Sequence, residues 1–433
     1  MRNRLADLFP PVPAVPLTPV RVLAVVAVVA AGIGLSLLRQ AGVPAVDTLW
    51  AEDGKEFLAD AVADGPFAVL FRPYNYLHLT PRLVAVAAMA FPVGWAALVF
   101  AVLGAAAVVA SGLFVFVASR GLVASPWVRG VLGAWFVLLP TAALETMNQV
   151  TNLHWYLFVV AFWAVIWRPQ SSAGRAVGVV MVVLAGLSNP VTLLLAPLAV
   201  ARLVVDVPVI DKAVPGLLLL LGAVQAAVMV GPGSAAAGER PEMGSLAEVT
   251  ANRFAGGTLF GHEIHADLYA SFGLWVAGFA VVVLAGLLVA ALWSWHRPQG
   301  VVGAFALLLA PVLFAALVYV RGTADPLVWT ADYQGIAGAR YSVGPALLVA
   351  SALALLAAVW RPRPIIGLVL VALLMVVVVV DFRPVNDRSA GPRWSEEIAA
   401  AELVCGQPDP PEVAQPNYPP GWDVRIPCSR LRE

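Results

Sequence analysis

Long apolar stretches recur along the whole chain and limit its fold more than any other feature. They are about as long as a bilayer-spanning helix, which needs about 20 residues. They lie at residues 20–38, 93–118, 127–143, 152–168, 175–188, 190–206, 213–231, 270–292, 299–320, 341–360 and 364–381. Because backbone polar groups in hydrocarbon must be satisfied within their own segment, each stretch is expected to be a helix. The sequence therefore predicts an all-α polytopic membrane protein with about eleven transmembrane helices.

Composition excludes several classes of protein. The chain is 61% hydrophobic and 12% charged, whereas a soluble domain carries about 25% charged residues. A soluble enzyme or a secreted module this poor in charge could not cover its surface with polar groups. The formal net charge is zero, so nothing indicates a nucleic-acid partner. Arg2 and Arg4 precede the first stretch as in a signal peptide, but residues 39–44 are not a convincing cleavage site. We expect the first span to be retained.

The positive charges near the span ends predict the orientation. With the N-terminus in the cytoplasm, nearly every inner connection is flanked by two basic residues. These residues are Arg2, Arg4, Arg21, Arg120, Arg129, Arg168, Arg175, Arg202, Lys212, Arg297, Arg361 and Arg363. The only acidic residues on that side are Asp7, Asp206 and Asp211. This segregation predicts a multi-pass protein of the plasma membrane with a cytoplasmic N-terminus and an extracytoplasmic C-terminus.

The outer side carries the long connections of the predicted transmembrane domain, residues 1–381. The first external loop covers residues 39–92, the second 232–269 and the third 321–340. Within the first loop, residues 79–91 are apolar but too short to span, which favours an interfacial helix. Residues 382–433 form a small, Pro-rich extracytoplasmic tail, expected to have little regular structure. Two cysteines on an oxidising face, Cys405 and Cys428, indicate one disulfide; two free thiols are the alternative.

Adjacent carboxylates early in the first external loop are the first candidates for chemistry. Glu52 and Asp53 lie between Trp50 and Phe57. At a membrane surface such carboxylates could supply a general base. The alternative is a helix N-terminus, with Asp53 as the cap and Glu56 completing a box-like arrangement.

A short turn between the third and fourth predicted spans concentrates amides, an imidazole and aromatic rings. Such groups commonly meet the hydroxyls and faces of sugars. Polar residues at membrane depth are costly unless satisfied, so we expect this turn to face a cavity. The alternative is an aromatic belt with capping asparagines. The candidate sugar- or acceptor-binding residues here are Glu145, Asn148, Asn152, His154 and Trp155.

The first loop resembles that of the GT-C superfamily of membrane glycosyltransferases. The resemblance consists of Glu52 and Asp53 soon after the first span, Phe57 four residues after Asp53, and the interfacial segment that follows. Residues 76–83 stand where many members have a Pro-Leu-containing start to the second juxtamembrane helix, and Tyr76 and His78 join the expected sugar- or acceptor-binding residues. The resemblance implies amphipathic juxtamembrane helices in this loop, a polyprenyl-phosphate-linked sugar as donor, and an envelope glycan or lipid as acceptor.

The resemblance also implies roles for individual residues. Asp53 is the preferred catalytic base and Glu52 the alternate. The leaving lipid phosphate needs a cation, and arginine offers bidentate recognition of phosphate oxygens. Arg340 followed by Tyr341 resembles an Arg-Tyr pair late in several GT-C families and is the first choice; an interfacial anchor is the alternative. The other candidate phosphate ligands on the predicted outer face are Arg72, Arg82, Arg253 and Arg321.

A possible metal site and a second class of function remain open. Some GT-C enzymes need a divalent cation, and His262, Glu263 and His265 are weak candidate ligands. Their spacing matches no strong metal pattern, so no site is assigned and a solvated loop is the alternative. A transporter or flippase of lipid-linked glycans is the alternative function. It would place charged residues near the bilayer midplane, whereas here they gather at the outer surface.

Overall fold

The structure, a computed structural model, describes residues 5–16, 18–230, 240–321, 338–360, 364–407 and 411–431. Most of the predicted third external loop, residues 322–337, lies outside these ranges, as do residues 232–239 of the second. Arg2, Arg4, Arg361 and Arg363, which contribute to the predicted orientation, also lie outside them.

The described ranges are mostly helical. In chain order the α-helices are α1 (Pro19–Leu38), α2 (Ala59–Asp64), α3 (Leu79–Ala88), α4 (Ala96–Ala118), α5 (Pro126–Leu138), α6 (Ala142–Glu145), α7 (Leu153–Ile166), α8 (Ser172–Gly186), α9 (Ala196–Val204), α10 (Ala213–Val230), α11 (Met243–Val249), α12 (Gly257–Phe260), α13 (Glu263–Phe272), α14 (Leu274–Trp293), α15 (Pro298–Arg321), α16 (Arg340–Trp360), α17 (Pro364–Val380) and α18 (Trp394–Cys405). The strands are β1 (Pro11–Val12), β2 (Arg168–Pro169), β3 (Glu412–Gln415) and β4 (Val424–Pro427).

Each predicted span falls on a helix of the structure. Within the described ranges, 7 helical segments are long and apolar enough to cross a membrane: Pro19–Leu38, Val93–Gly121, Pro126–Glu145, Val209–Val230, Leu274–Trp293, Pro298–Arg321 and Arg340–Trp360. The other predicted spans coincide with shorter apolar helices, namely α7, α8, α9 with the turn before it, and α17. The structure is therefore that expected of an all-α polytopic protein, and the count of eleven spans stays a prediction.

Several helices begin at residues whose side chains satisfy free backbone N–H groups. Thr18, Ser125 and Ser171 each accept a hydrogen bond from the backbone N–H three residues later. Pro19 and Pro126 follow two of these caps, where a missing N–H costs nothing. These signals set where α1, α5 and α8 start.

The core surrounds α7, in which every residue from Leu153 to Ile166 is buried. Helices α4, α8 and α16 pack against α7. Hydropathy does not separate α7 from helices that are mostly exposed, because both kinds are strongly apolar; α1, for comparison, buries only Ser36. The polar turn that precedes α7 is therefore held at the centre of one end of the bundle.

At that end, Arg39 joins the termini of three helices. Its guanidinium, 1% exposed, donates hydrogen bonds to the carbonyls of Val137, Leu139 (3.1 Å), Asp381 (3.4 Å) and Phe382 (3.2 Å). These carbonyls lie at the C-terminal ends of α5 and α17, so Arg39 ties both ends to the C-terminus of α1. All lie on the predicted outer face.

The predicted inner connections meet at the opposite end. Strand β1 pairs in parallel with β2, and the Asp211 carboxylate accepts hydrogen bonds from Arg168 (3.0 Å) and Arg175 (3.1 Å). Gln299 donates to the carbonyl of Leu122 at 3.0 Å. The contacts thus sort the helix ends into the two groups that the charge pattern predicts. Which group faces the cytoplasm stays a prediction.

The C-terminal tail is more ordered than its proline content predicts. It contains α18 and an antiparallel hairpin of β3 and β4, and a disulfide joins Cys405 to Cys428 with their Cα atoms 5.3 Å apart. The buried side chains of α18 recur at helical spacing: Trp394, Ile398, Ala401 and Cys405. This apolar face gives the tail a core of its own.

The tail packs on the end of the bundle that is predicted to face outward. The buried guanidinium of Arg388 donates to the Thr48 hydroxyl (2.8 Å) and to the carbonyl of Met147 (2.9 Å). The Trp394 indole donates to the carbonyl of Val93 at 3.0 Å. The tail therefore fixes the first external loop against the turn that precedes α7.

Candidate active site

The Asp53 carboxylate anchors the first external loop to the turn before α7. It accepts hydrogen bonds from the backbone N–H groups of Val150 (3.0 Å) and Thr151 (2.8 Å) and from the Thr151 hydroxyl (2.5 Å). Asp53 is 1% exposed. Burial raises the pKa of its carboxyl to about 6, although these hydrogen bonds and nearby Arg388 oppose the shift. The oxygens of the preferred base are thus already engaged by the protein.

The carboxylate of Glu52, the alternate base, is not bound by any other described residue. It is half-buried, and no hydrogen bond to its carboxylate from another residue is found in the described ranges. Burial raises its pKa above the ordinary value, while Arg340 lowers it and Glu145 raises it. Glu52 therefore combines a carboxylate that no other described residue binds with a raised pKa, which brings it nearer to the pH at which a general base works.

Arg340 is held by a buried acid. The Glu145 carboxylate, whose side chain is 3% exposed, accepts hydrogen bonds from the backbone N–H of Arg340 (3.0 Å) and from its guanidinium. The guanidinium also lies over the ring of Tyr341, 5.0 Å from its centre. The Arg340 side chain is 34% exposed. Glu145 thus holds the Arg340 guanidinium in place. The N–H groups of Arg340 that Glu145 does not bind can donate hydrogen bonds to an anion.

The predicted asparagines hold the turn together. Asn148 has a left-handed backbone (φ 55°) that asparagine tolerates better than most residues. Its side-chain amide bonds to the hydroxyl (2.8 Å) and carbonyl (2.9 Å) of Ser36. Asn152 donates to the carbonyl of Glu145 and to the Gln149 side chain, both at 3.3 Å. Both amides therefore shape the site, and neither is open to a sugar.

Aromatic and imidazole rings from the first loop and α7 come together. Tyr76 stacks on His78 with ring centres 4.0 Å apart, and His154 lies 6.2 Å from Tyr76 and 4.3 Å from Trp155. Trp155 meets the ring of Tyr341 edge-on at 5.7 Å. Burial lowers the pKa of His78 to about 3, so this imidazole is neutral at physiological pH. The rings form a wall that leads from the loop to Arg340.

Arg72 and Arg82 are bound by carboxylates of the first loop. Arg82 is 1% exposed; it contacts Asp60 at 2.7 Å and lies over the ring of Phe57. Arg72 contacts Asp60 at 3.0 Å and Asp64 at 2.7 Å. Both arginines brace the juxtamembrane segment, which makes Arg340 better placed than either of them to bind a phosphate.

The weak candidate metal ligands do not form a cation site. Within the described ranges, no three His, Cys, Asp or Glu side chains are grouped closely enough to hold a metal ion. The backbone N–H groups of His262 and Glu263 instead donate to the Asp381 carboxylate at 2.7 and 3.0 Å, and His265 stacks parallel to Phe260. Asp381 thus caps α13, and these residues do not fit a divalent cation.

Residues of the tail also border the site, which the sequence did not predict. Tyr418 stacks on Trp50 with ring centres 5.7 Å apart, and the ammonium of Lys55 lies over the Trp422 ring at 5.0 Å. Asn417 donates to the carbonyl of Ala51 at 2.8 Å. The one available signal was the aromatic residues beside the Pro419–Pro420 pair. The tail thus adds aromatic surface next to Glu52.

Gly54 permits this close approach. A Cβ atom at this position would lie 2.5 Å from the Asn417 amide nitrogen and 2.6 Å from a Val424 methyl. Only glycine lets the helical turn that carries Asp53 lie so close to β4.

Asp53→Asn is expected to destabilise the protein. An asparagine offers one acceptor oxygen, and its NH₂ group would face an N–H donor of the turn. A buried donor left without a partner costs about 1–3 kcal/mol, so we expect a loss of about 2 kcal/mol. Thermal unfolding of the purified variant measures this loss. A melting temperature equal to that of the unaltered protein would contradict the anchoring role.

No family of known proteins, no characterised protein and no solved structure matches this chain.

Proposed function

We propose that this chain is a membrane glycosyltransferase. It transfers a sugar from a polyprenyl-phosphate donor to an envelope glycan or lipid on the extracytoplasmic face. The observation that carries the proposal is the proximity of an open carboxylate, Glu52, to a cation held in place by a buried acid, Arg340 on Glu145. An aromatic wall leads to the same point. The resemblance of the first loop to the GT-C superfamily points to the same chemistry.

The proposed reaction proceeds in one step and inverts the configuration at the anomeric carbon. Glu52 takes the proton of the acceptor hydroxyl as its oxygen attacks that carbon. The bond from the carbon to the phosphate oxygen breaks, and the lipid phosphate leaves as an anion without needing a proton. Arg340 stabilises the negative charge that collects on this phosphate. Asp53 is a positioning residue, because its hydrogen bonds fix the loop on which Glu52 lies.

The proposed topology has eleven spans, with the active site on the outer side. It is supported by the basic residues at the predicted inner connections and by the sorting of helix ends into two groups. A transporter or flippase is less well supported. In the described ranges, the buried charged residues Arg39, Asp53, Glu145, Arg202, Asp211 and Arg388 lie at helix ends or in loops, whereas a translocation path needs polar sites near the midplane.

A transfer assay with purified protein tests the proposal. The protein is incubated with polyprenyl-phosphate hexoses and pentoses carrying a labelled sugar, and with envelope lipids and glycans as acceptors. We expect label to enter a new glycosidic product. If the labelled donor instead crosses liposome membranes intact, without forming a product from any donor, the transporter is the correct function.

The rate should fall in acid as Glu52 becomes protonated. A base works only when it is ionised, so kcat/KM decreases as the pH drops through its pKa. Burial raises that pKa above the ordinary value of 4.5; the acid limb should therefore be centred above pH 4.5. A pH profile from about 4 to 8 measures this limb. Residual activity of Glu52→Gln should lack it; the same limb in that variant would assign the titration to another group.

A further inference from the structure

A second site lies at the inner end of the bundle, opposite Glu52. A cavity of about 360 Å³ opens among α8, α9, α10 and the connection after α7. Its polar wall is formed by Trp167, Arg175, Arg202 and Asp211, and much of the rest by small and aliphatic residues such as Val179 and Val214. The proposed sugar transfer makes no use of this cavity.

The cavity carries an excess of positive charge. Its one carboxylate, Asp211, is bound by Arg175 and by the adjacent Arg168. Arg202, 1% exposed, has no acidic partner among the described residues; one of its nitrogens donates to three carbonyls at the end of α7, including that of Trp167 at 2.8 Å. Three guanidinium groups thus face one carboxylate. An anion can enter this site without displacing an existing ion pair.

Two buried donors lack partners here. In the described ranges, neither Nε of Arg202 nor the indole Nε1 of Trp167 has a hydrogen-bond acceptor. Both residues line the cavity. Buried N–H groups in proteins are nearly always paired, so the wall of this cavity holds two donors that lack the oxygen acceptors a phosphate would bring. Arginine and indole N–H groups together suit the oxygens of a phosphate.

The apolar walls indicate the source of that phosphate. Basic pockets between transmembrane helices on the cytoplasmic side bind the headgroups of anionic lipids. Here the arginines lie at the predicted inner end, and Val179 of α8 and Val214 of α10 offer aliphatic surface for acyl chains. We propose that this cavity binds the phosphate group of an anionic membrane phospholipid. Such binding is independent of sugar transfer at the other end.

Lipid titration of the purified protein tests this site. Native mass spectrometry in detergent can compare phosphatidylglycerol with zwitterionic phosphatidylcholine, and we expect the anionic lipid to bind about tenfold more tightly. Arg175→Gln and Trp167→Phe should each weaken phosphatidylglycerol binding by about tenfold, since each removes a donor to a charged group. Phenylalanine keeps an aromatic ring at this buried position, so the tryptophan variant should fold even if the arginine variant does not.

The control is Arg120→Gln, which removes an exposed arginine at the same end but outside the cavity. It should leave lipid binding unchanged. Equal affinity for the two lipids, or an equal loss in Arg120→Gln, would overturn the site. Inorganic phosphate that displaces phosphatidylglycerol at equal concentration would overturn the lipid as the source of the phosphate.

Discussion

Glu52→Gln is expected to lower kcat by a factor of about 10²–10⁴, the usual contribution of a general base. Glutamine has nearly the same shape but cannot take the proton of the acceptor hydroxyl. The melting temperature should not change, because Glu52 is half-buried and no other described residue forms a hydrogen bond to its carboxylate. Initial rates with saturating labelled donor, measured on protein of confirmed melting temperature, give the result.

Glu56→Gln is the matched control. Glu56 lies one helical turn further along the same loop, and burial also raises its pKa. Its carbonyl, rather than its carboxylate, is bound by Arg82. Full activity in Glu56→Gln with strong loss in Glu52→Gln would support the proposed base. The reverse result, or a fully active Glu52→Gln beside an inactive but folded Asp53→Asn, would transfer the role away from Glu52.

Arg340→Gln is expected to impair both stability and catalysis. It leaves the Glu145 carboxylate buried without its cation; breaking a fully buried pair costs about 3–5 kcal/mol, and a smaller loss is expected here because the Arg340 side chain is 34% exposed. It also removes the cation that faces the leaving phosphate; loss of one such donor lowers rates by about 10²–10³-fold. Thermal unfolding and initial rates with the lipid-linked donor measure the two effects separately.

The double variant Arg340→Gln with Glu145→Gln separates structure from catalysis. Without either charge, no unpaired carboxylate remains, and most of the lost stability should return. The rate should stay low because the phosphate still lacks its cation. If the rate recovers together with stability, Arg340 acts only as a structural partner of Glu145.

Arg72→Gln provides the comparison. Arg72 was predicted as a phosphate ligand too, but its side chain is 38% exposed and it pairs with loop carboxylates. Exposed ion pairs contribute about 0–1 kcal/mol, so this variant should remain close to the unaltered protein in both stability and rate. A rate loss as large as that of Arg340→Gln would place the donor phosphate at Arg72.

The helices could be predicted because their signal is local. A segment such as residues 299–320 is apolar over its whole length, and the structure has α15 there. Caps such as Ser125 can also be recognised from nearby sequence. Burial could not be predicted in the same way: α7 and α1 are both apolar, yet α7 lies in the core while α1 is largely exposed.

The candidate site was predicted only in part, since its contacts join distant residues. Glu145, Arg340, Tyr76 and His154 were chosen for their chemical type and their side of the membrane, and the structure groups them. That the Asp53 carboxylate is occupied depends on Thr151, 98 positions away. No local sequence pattern indicates that Asp53 and Thr151 lie side by side. The apolar face of α18 was not predicted, because the proline content of the tail favours irregular structure.

The contact between the first loop and the tail has a consequence for biogenesis. Asn417 and Ala51 are 366 positions apart, so a ribosome makes almost the entire polypeptide between them. Domains generally fold as their segments emerge, but this corner must wait until Asn417 and β4 have been delivered. A nascent polypeptide with every membrane helix already inserted still lacks the aromatic cover beside Glu52. Maturation of this corner is therefore completed only after Asn417 and its neighbours have been synthesised.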